Sequence, residues 1–265
     1  MTANNVYMPF KSEILDIKKH TDIEYTFRMS YEGEVKPGQF FEVSLPKYGE
    51  SPISVCEIGE GYVDLTIRRV GVVTDEIYNY NIGQSLFLRG PYGNGFDLDN
   101  YKNKEIVVVV GGTGVAPVKG IMDYFSKNPK ECKGFNLIVG FKTINNVLFK
   151  EDIERWKENI DVTVTLDVAE EGYKGNTGLV TKYIPELDIK DKENVQIVVV
   201  GPPIMMKFAV AEFLKLGIKE ENIWISQERK MCCGLGKCGH CKIDDTYICL
   251  DGPVFNYVKG KTLID

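Results

Sequence analysis

The stretch Ile106-Val107-Val108-Val109-Val110-Gly111-Gly112-Thr113-Gly114-Val115-Ala116-Pro117 carries the reading of the fold. Five consecutive β-branched apolar residues suit a strand buried on both faces, as in a parallel sheet. The glycines that follow allow a tight turn and a close approach of backbone to a ligand. Pro117 suits the first turn of a helix, where no N–H partner is needed. A strand, a glycine turn and a helix N-terminus in this order fit a dinucleotide pyrophosphate, with Gly112, Thr113, Gly114, Ala116 and Pro117 as the contacts. The turn departs from G-x-G-x-x-G because Pro117 takes the sixth place. The next strand, Phe135–Val139, runs into Gly140, Phe141 and Lys142 instead of the acidic residue that reads a ribose.

Downstream the alternation continues. Helices are predicted over Val115–Phe125 and Phe149–Glu158, and strands over Val162–Leu166 and Val195–Val200. Gly201-Pro202-Pro203-Ile204-Met205-Met206 leads into a further helix ending near Leu216, and Ile223–Ser226 reads as the final strand. This is an α/β parallel sheet. Its second glycine turn leaves the carboxyl end of a strand, so Gly201, Pro202, Met205 and Met206 should face the same crevice as Gly112–Pro117. Upstream the pattern differs. The runs Glu24–Tyr31, Phe40–Leu45, Tyr62–Val70 and Ser85–Arg89, separated by Pro/Gly/Asn turns, predict a small antiparallel barrel, with a short helix over Thr74–Tyr80.

Downstream of Ser226 the chain is too short for a core of its own and needs a staple. Five of the seven cysteines lie between Cys232 and Cys249. An odd number, clustered and without secretory features, points to metal ligands rather than disulfides. Cys233, Cys238, Cys241 and Cys249 open as C-x4-C-x2-C, the spacing of plant-type 2Fe-2S ligands. Gly234, Gly236 and Gly239 let the loop curl and let N–H groups approach the sulfurs. The other reading is a structural zinc site, although only Cys238 and Cys241 form the C-x2-C hook that zinc prefers. Cys232 could replace Cys233, but its spacing to Cys238 fits less well.

The 265 residues carry 32 basic and 38 acidic side chains, a net charge of −6. No Lys/Arg block exceeds a pair, which argues against nucleic acid as a partner. No apolar run approaches the ~20 residues of a spanning helix. Met1-Thr2-Ala3-Asn4-Asn5 does not resemble a signal peptide, and a cytoplasmic protein is expected. With only two histidines, His20 and His240, His-based catalysis is not expected.

Together these pieces resemble the ferredoxin–NADP reductase-like flavoprotein superfamily. Within it the chain resembles electron-transfer subunits with a C-terminal 2Fe-2S cluster: those of the anaerobic sulfite reductase and dihydroorotate dehydrogenase families. The resemblance rests on Ser51-Pro52-Ile53-Ser54, Leu65–Thr74, Gly90-Pro-Tyr-Gly93-Asn94-Gly95-Phe96, the two glycine turns, Glu228-Arg-Lys-Met231 and Cys249–Phe255. The stretch at 49–55 and the serine at 51, where arginine is usual, look most like the anaerobic sulfite reductase family.

The resemblance implies an FAD-binding barrel over 1–100, an NAD-binding domain over 101–227 and a 2Fe-2S domain over 228–265. Pro52, Ile53 and Ser54 would line the flavin. Ile67, Arg68 and Arg69 would form the next contact, and Gly71 to Thr74 would hold the FAD pyrophosphate. NADH would reach the flavin beside Glu228. Electrons would pass from NADH through FAD and the cluster to an iron–sulfur and a siroheme-type partner subunit. Leu235, Lys237 and His240, beside the ligands, would face that partner. Dihydroorotate chemistry is the alternative, and a zinc-stapled nucleotide-binding module without redox activity a third reading.

Overall fold

The barrel closes through six strands, β1 (Phe10–Lys19), β2 (Glu24–Ser30), β3 (Phe40–Leu45), β4 (Gly49–Gly59), β5 (Tyr62–Arg68) and β6 (Ser85–Tyr92), in the order β1-β2-β5-β4-β3-β6. All neighbours in it are antiparallel. Phe41, Val43, Leu65, Leu86 and Leu88 point inward and are essentially unexposed. By alternation, Glu42 and Arg89 lie on the outer face. The sequence reading lacks β1 and β4. In β1, FKSEILDIKK, only Ser12 and Ile14 are buried, so charged residues obscure its alternation. Helix α1 (Val72–Ile77), with Gly71 as its N-cap, begins two residues ahead of the expected Thr74.

The second sheet is assembled from β7 (Glu105–Gly111), β8 (Gly134–Phe141), β9 (Asp161–Leu166), β10 (Asn176–Thr177), β11 (Gln196–Val200), β12 (Ile223–Ser226) and β15 (Val254–Asn256). Its order is β10-β9-β8-β7-β11-β12-β15, parallel throughout except at β15. Helices α2 (Val115–Lys127), α3 (Lys150–Trp156) and α4 (Pro203–Lys215) connect its strands. Ile223–Ser226 is therefore not the last strand: the three-residue β15, too short to show a period, adds antiparallel to its edge. Between them lie a two-stranded ribbon, β13 (Lys242–Ile243) with β14 (Thr246–Tyr247), and helix α5 (Ile248–Asp251); α6 (Tyr257–Gly260) follows β15.

The computed structural model describes residues 5–263, so the first four residues of the N-terminal stretch read above lie outside the described residues. The chain divides into two units. One comprises residues up to Phe96 together with Glu228–Pro253; the other comprises Asp97–Gln227 with Val254 onward. Among the described residues, no helix is long and apolar enough to cross a membrane.

Candidate functional sites: the cysteine loop and the glycine turns

In the barrel unit, the cysteine loop turns through three left-handed glycines, Gly234 (φ 69°), Gly236 (φ 66°) and Gly239 (φ 81°). Gly234 lies flat on the Tyr92 ring; a Cβ there would stand 2.4 Å from Tyr92 Cδ2. The curl brings backbone N–H groups onto sulfur. Leu235 N and Lys237 N donate to Cys233 Sγ at 3.3 and 3.4 Å, and Gly236 N donates to Cys249 Sγ at 3.2 Å.

These bonds shape the thiols. Burial pushes Cys233 up, but N–H groups of Leu235, Lys237 and Cys238 outweigh it, and its net shift is downward. The N–H of His240 lowers Cys238. Burial lifts Cys249 to about 12, with Cys241 beside it adding to the rise. The ribbon β13–β14 explains the gap between Cys241 and Cys249. It doubles the chain back, and Ile248 N donates to Cys241 O at 3.3 Å.

Cys233 and Cys238 influence each other's titration, and Cys241 that of Cys249. Among the described residues, no group of three or more His, Cys, Asp or Glu side chains converges as the ligands of one metal ion would. A curled loop of four cysteines with N–H donors on the sulfurs of Cys233 and Cys249 fits the thiolate ligands of an iron–sulfur cluster. Cys232 is exposed, Cys56 is buried and Cys132 is half-buried.

The barrel seats this loop through the Gly90–Phe96 motif. Asn94 N donates to Gly252 O at 2.7 Å and Asn94 Nδ2 to Asp251 O at 3.1 Å. Gly93 admits Pro253 so closely that a Cβ would lie 2.6 Å from Pro253 Cδ. Arg89, 4% exposed, reaches the loop as well. Its Nη2 donates to Cys232 O at 3.0 Å and its Nη1 to Cys233 O. Its other edge grips Glu50, with Nε to Oε1 at 3.2 Å and Nη2 to Oε2 at 2.5 Å. Glu42, directly across from Arg89 on β3, is fully buried, and neither carboxylate oxygen has a hydrogen-bond partner. Burial raises its carboxyl to about 7, against the pull of Arg89.

The sequence reading missed these three residues. The only signal was a charge at Arg89 breaking the apolar run of β6.

The residues expected at the flavin fall into two groups. Pro52 and Ser54 are partly exposed on β4, and Arg68 and Arg69 extend from the end of β5. Arg68 Nε lies 3.3 Å from Glu24, and Arg69 Nε lies 3.0 Å from Asp75. Ile53 and Ile67 point into the barrel core, so their side chains support the strand rather than face a ligand. Thr74 is buried; its hydroxyl accepts from Val70 N and Gly71 N and donates to Gly71 O, fixing the start of α1. Glu228 is exposed at the head of the cysteine segment.

In the second unit, β7 and β11 pair in parallel with Val200 opposite Val110, so both glycine turns leave neighbouring carboxyl ends. The strand order reverses between these two strands, the switch point at which ligands bind open α/β sheets. Gly112 has φ 55°, and nothing lies within 4 Å of where its side chain would begin. That open cradle at the entrance to α2 fits a pyrophosphate. Gly114 serves the packing instead: a Cβ there would lie 2.7 Å from Val200 O. Met205 packs between the turns, its Sδ 2.6 Å from a Cβ placed on Gly111. Thr113, Gly201, Pro202 and Met205 remain at least partly exposed, whereas Ala116, Pro117 and Met206 are buried beneath them.

Residues 108–211 match the oxidoreductase NAD-binding domain family, and residues 228–259 match the iron–sulfur cluster binding domain of dihydroorotate dehydrogenase B. The chain is 32% identical to the sulfhydrogenase 1 subunit gamma of Pyrococcus furiosus, over 97% of this chain and 94% of that one. It is 31% identical to a probable dihydroorotate dehydrogenase B (NAD(+)) electron transfer subunit of the same organism, over 90% and 85%. Among solved structures, an NADH-dependent reduced ferredoxin–NADP oxidoreductase, described in connection with flavin-based electron bifurcation, superimposes with a TM-score of 0.79. It is 26% identical, and the match covers 93% of this chain and 88% of that one. This chain, with its closed barrel, its NAD-binding sheet and its iron–sulfur binding segment, belongs to the family of oxidoreductase electron-transfer subunits that holds the sulfhydrogenase gamma and dihydroorotate dehydrogenase B proteins.

Proposed function

We propose that this chain is a cytoplasmic NADH-oxidising subunit that carries FAD and one 2Fe-2S cluster and delivers electrons to an iron–sulfur and siroheme-type partner for the reduction of sulfite. The observation that carries the cofactor reading is the curl of the cysteine loop through Gly234, Gly236 and Gly239, which sets backbone N–H groups on the sulfurs of Cys233 and Cys249. The labour divides by segment: 1–100 for the flavin, 101–227 for the nucleotide and 228–265 for the cluster, with the last dozen residues lent to the sheet.

FAD, held by the barrel, would supply the exchange between a two-electron hydride donor and a one-electron cluster. The protein's part is to bind and orient. Gly112, Thr113, Gly201, Pro202 and Met205 receive the dinucleotide at the switch point, over the packing base of Gly114, Ala116, Pro117 and Met206. Pro52 and Ser54 offer the barrel's partly exposed edge to the flavin. Arg68 and Arg69 supply positive charge for its diphosphate beside the helix start fixed by Gly71 and Thr74. Glu228 stands at the nicotinamide. No side chain need act as acid or base, which suits a chain with two histidines.

Sulfite as the terminal acceptor is supported by the resemblance at 49–55. The match at 228–259 favours a dihydroorotate dehydrogenase partner as the second reading. The test is anaerobic purification followed by reconstitution. About two iron and two acid-labile sulfide per chain are expected, together with flavin absorption. Stoichiometric zinc without iron would overturn the redox reading. With candidate partner subunits added, NADH-dependent sulfide formation supports the sulfite role; turnover of dihydroorotate or of hydrogen instead overturns it.

A further inference from the structure

We propose that Arg89 is a positioning residue that fixes the backbone of the first cluster ligand, Cys233, to the flavin-side strand β4 and thereby sets the potential of the cluster. This rests on the 2Fe-2S reading above.

The geometry is that of a clamp. Arg89 lies on the barrel's outer face, where a charged side chain ordinarily meets water, yet it is only 4% exposed. One edge of its guanidinium holds Glu50, and the other holds the carbonyls of Cys232 and Cys233. Nη1 also donates to Tyr92 Oη at 3.0 Å. All three guanidinium nitrogens are engaged.

Consecutive carbonyls of an extended chain point in opposite directions. For two of them to meet one cation, the Cys232–Cys233 segment must turn there, immediately ahead of left-handed Gly234. That turn is what directs Cys233 Sγ toward the N–H groups of Leu235 and Lys237. Only a planar fork can hold two carbonyls and a carboxylate together; a lysine ammonium in its place keeps the charge and loses the geometry.

The electrostatics follow from the same contacts. Reduction adds an electron to an already anionic group, so a fixed cation nearby favours the reduced form. The acidic neighbours of Arg89, Glu50 and the buried Glu42, act in the opposite sense. Removing Arg89 leaves both carboxyls beside the loop without their cation. Arg89 touches no thiol; it works through the peptide of Cys233 and through its charge.

The experiment compares the wild-type holoprotein with Arg89→Gln, Arg89→Lys and Glu50→Gln, each purified anaerobically. Iron content, the EPR spectrum of the dithionite-reduced cluster and its midpoint potential are measured, with flavin content and melting temperature as controls of folding. Arg89→Gln is expected to lower the midpoint potential and alter the EPR g-anisotropy. Arg89→Lys should recover part of the potential and not the spectrum. Glu50→Gln should raise the potential, and it keeps the test decisive if Arg89→Gln fails to fold. Wild-type potential and spectrum in a folded, iron-loaded Arg89→Gln protein, or in Glu50→Gln should the former not fold, would overturn the proposal while leaving the cluster reading intact. Absence of iron from the wild-type protein would instead remove the reading on which it rests.

Discussion

Glu42 shows what a single residue can cost a fold. A carboxyl buried without hydrogen bonds prefers to be neutral, and its value of about 7 lies above the ordinary 4.5. Below pH 4.5 both folded and unfolded chains hold the proton, so nothing is gained or lost. Between 4.5 and 7 the folded chain keeps a proton that the unfolded chain releases, and stability falls as pH rises. Above 7 the penalty is complete, up to ~3 kcal/mol for a shift of this size. Urea unfolding across pH 5–8 should show this decline, and Glu42→Gln should flatten it; an unchanged slope in the variant would assign the decline to groups other than Glu42.

The glycine turn needs a similar distinction between residues. Gly114→Ala should destabilise the protein by about 1–3 kcal/mol, because its Cβ meets Val200 O at 2.7 Å. It therefore cannot report cleanly on nucleotide binding. Thr113→Glu is the better probe: a carboxylate in the turn should weaken NADH binding at least about tenfold by repelling the pyrophosphate, with the melting temperature unchanged. Equal NADH titrations for Thr113→Glu and wild type would move the pyrophosphate elsewhere.

Legibility in the sequence also divides by residue. The cluster ligands could be read because their chemistry needs close spacing along the chain. Arg89 could not, because its partners Cys232 and Cys233 lie 143 and 144 residues away.

Among the elements, the parallel core was readable because strands buried on both faces are uninterrupted apolar runs. β1 escaped because only two of its ten residues are buried. β15 escaped because three residues carry no period, yet it is well anchored. Val254 and Phe255 are nearly unexposed, and Asn256 Nδ2 donates to Glu221 O at 2.7 Å. After it, Leu263 is buried and Lys261 pairs with Glu220 at 2.6 Å. A chain ending at Pro253 should lose at least ~3 kcal/mol of stability from the apolar side chains alone. It should also aggregate through the uncovered edge of β12. A melting temperature and a sedimentation profile like those of the full chain would show that β15 adds nothing.

For the molecule as a whole, the open question is where electrons leave. The sequence singled out Leu235, but Leu235 is half-buried; the exposed apolar side chain beside a ligand is Leu250, next to Cys249 and 57% exposed. Leu250→Asp should impair NADH-dependent turnover of the reconstituted complex at least about fivefold while NADH-driven dye reduction by the isolated chain persists. Equal losses in both assays would mean that the change acts inside the chain and not at a docking face.

The tie between Arg89 and the cysteine loop also orders events in time. The two halves of that clamp are separated by 144 residues. At a synthesis rate of roughly 5–20 residues per second, the barrel strands precede the loop from the ribosome by about 7–30 s. During that interval the outer face bearing Glu42, Glu50 and Arg89 is complete in sequence and still uncovered. The nascent barrel thus has an interval in which to fold before the cysteine loop is available to close over that face. The order of the codons alone thus delivers the barrel's half of the clamp before the half that the loop supplies.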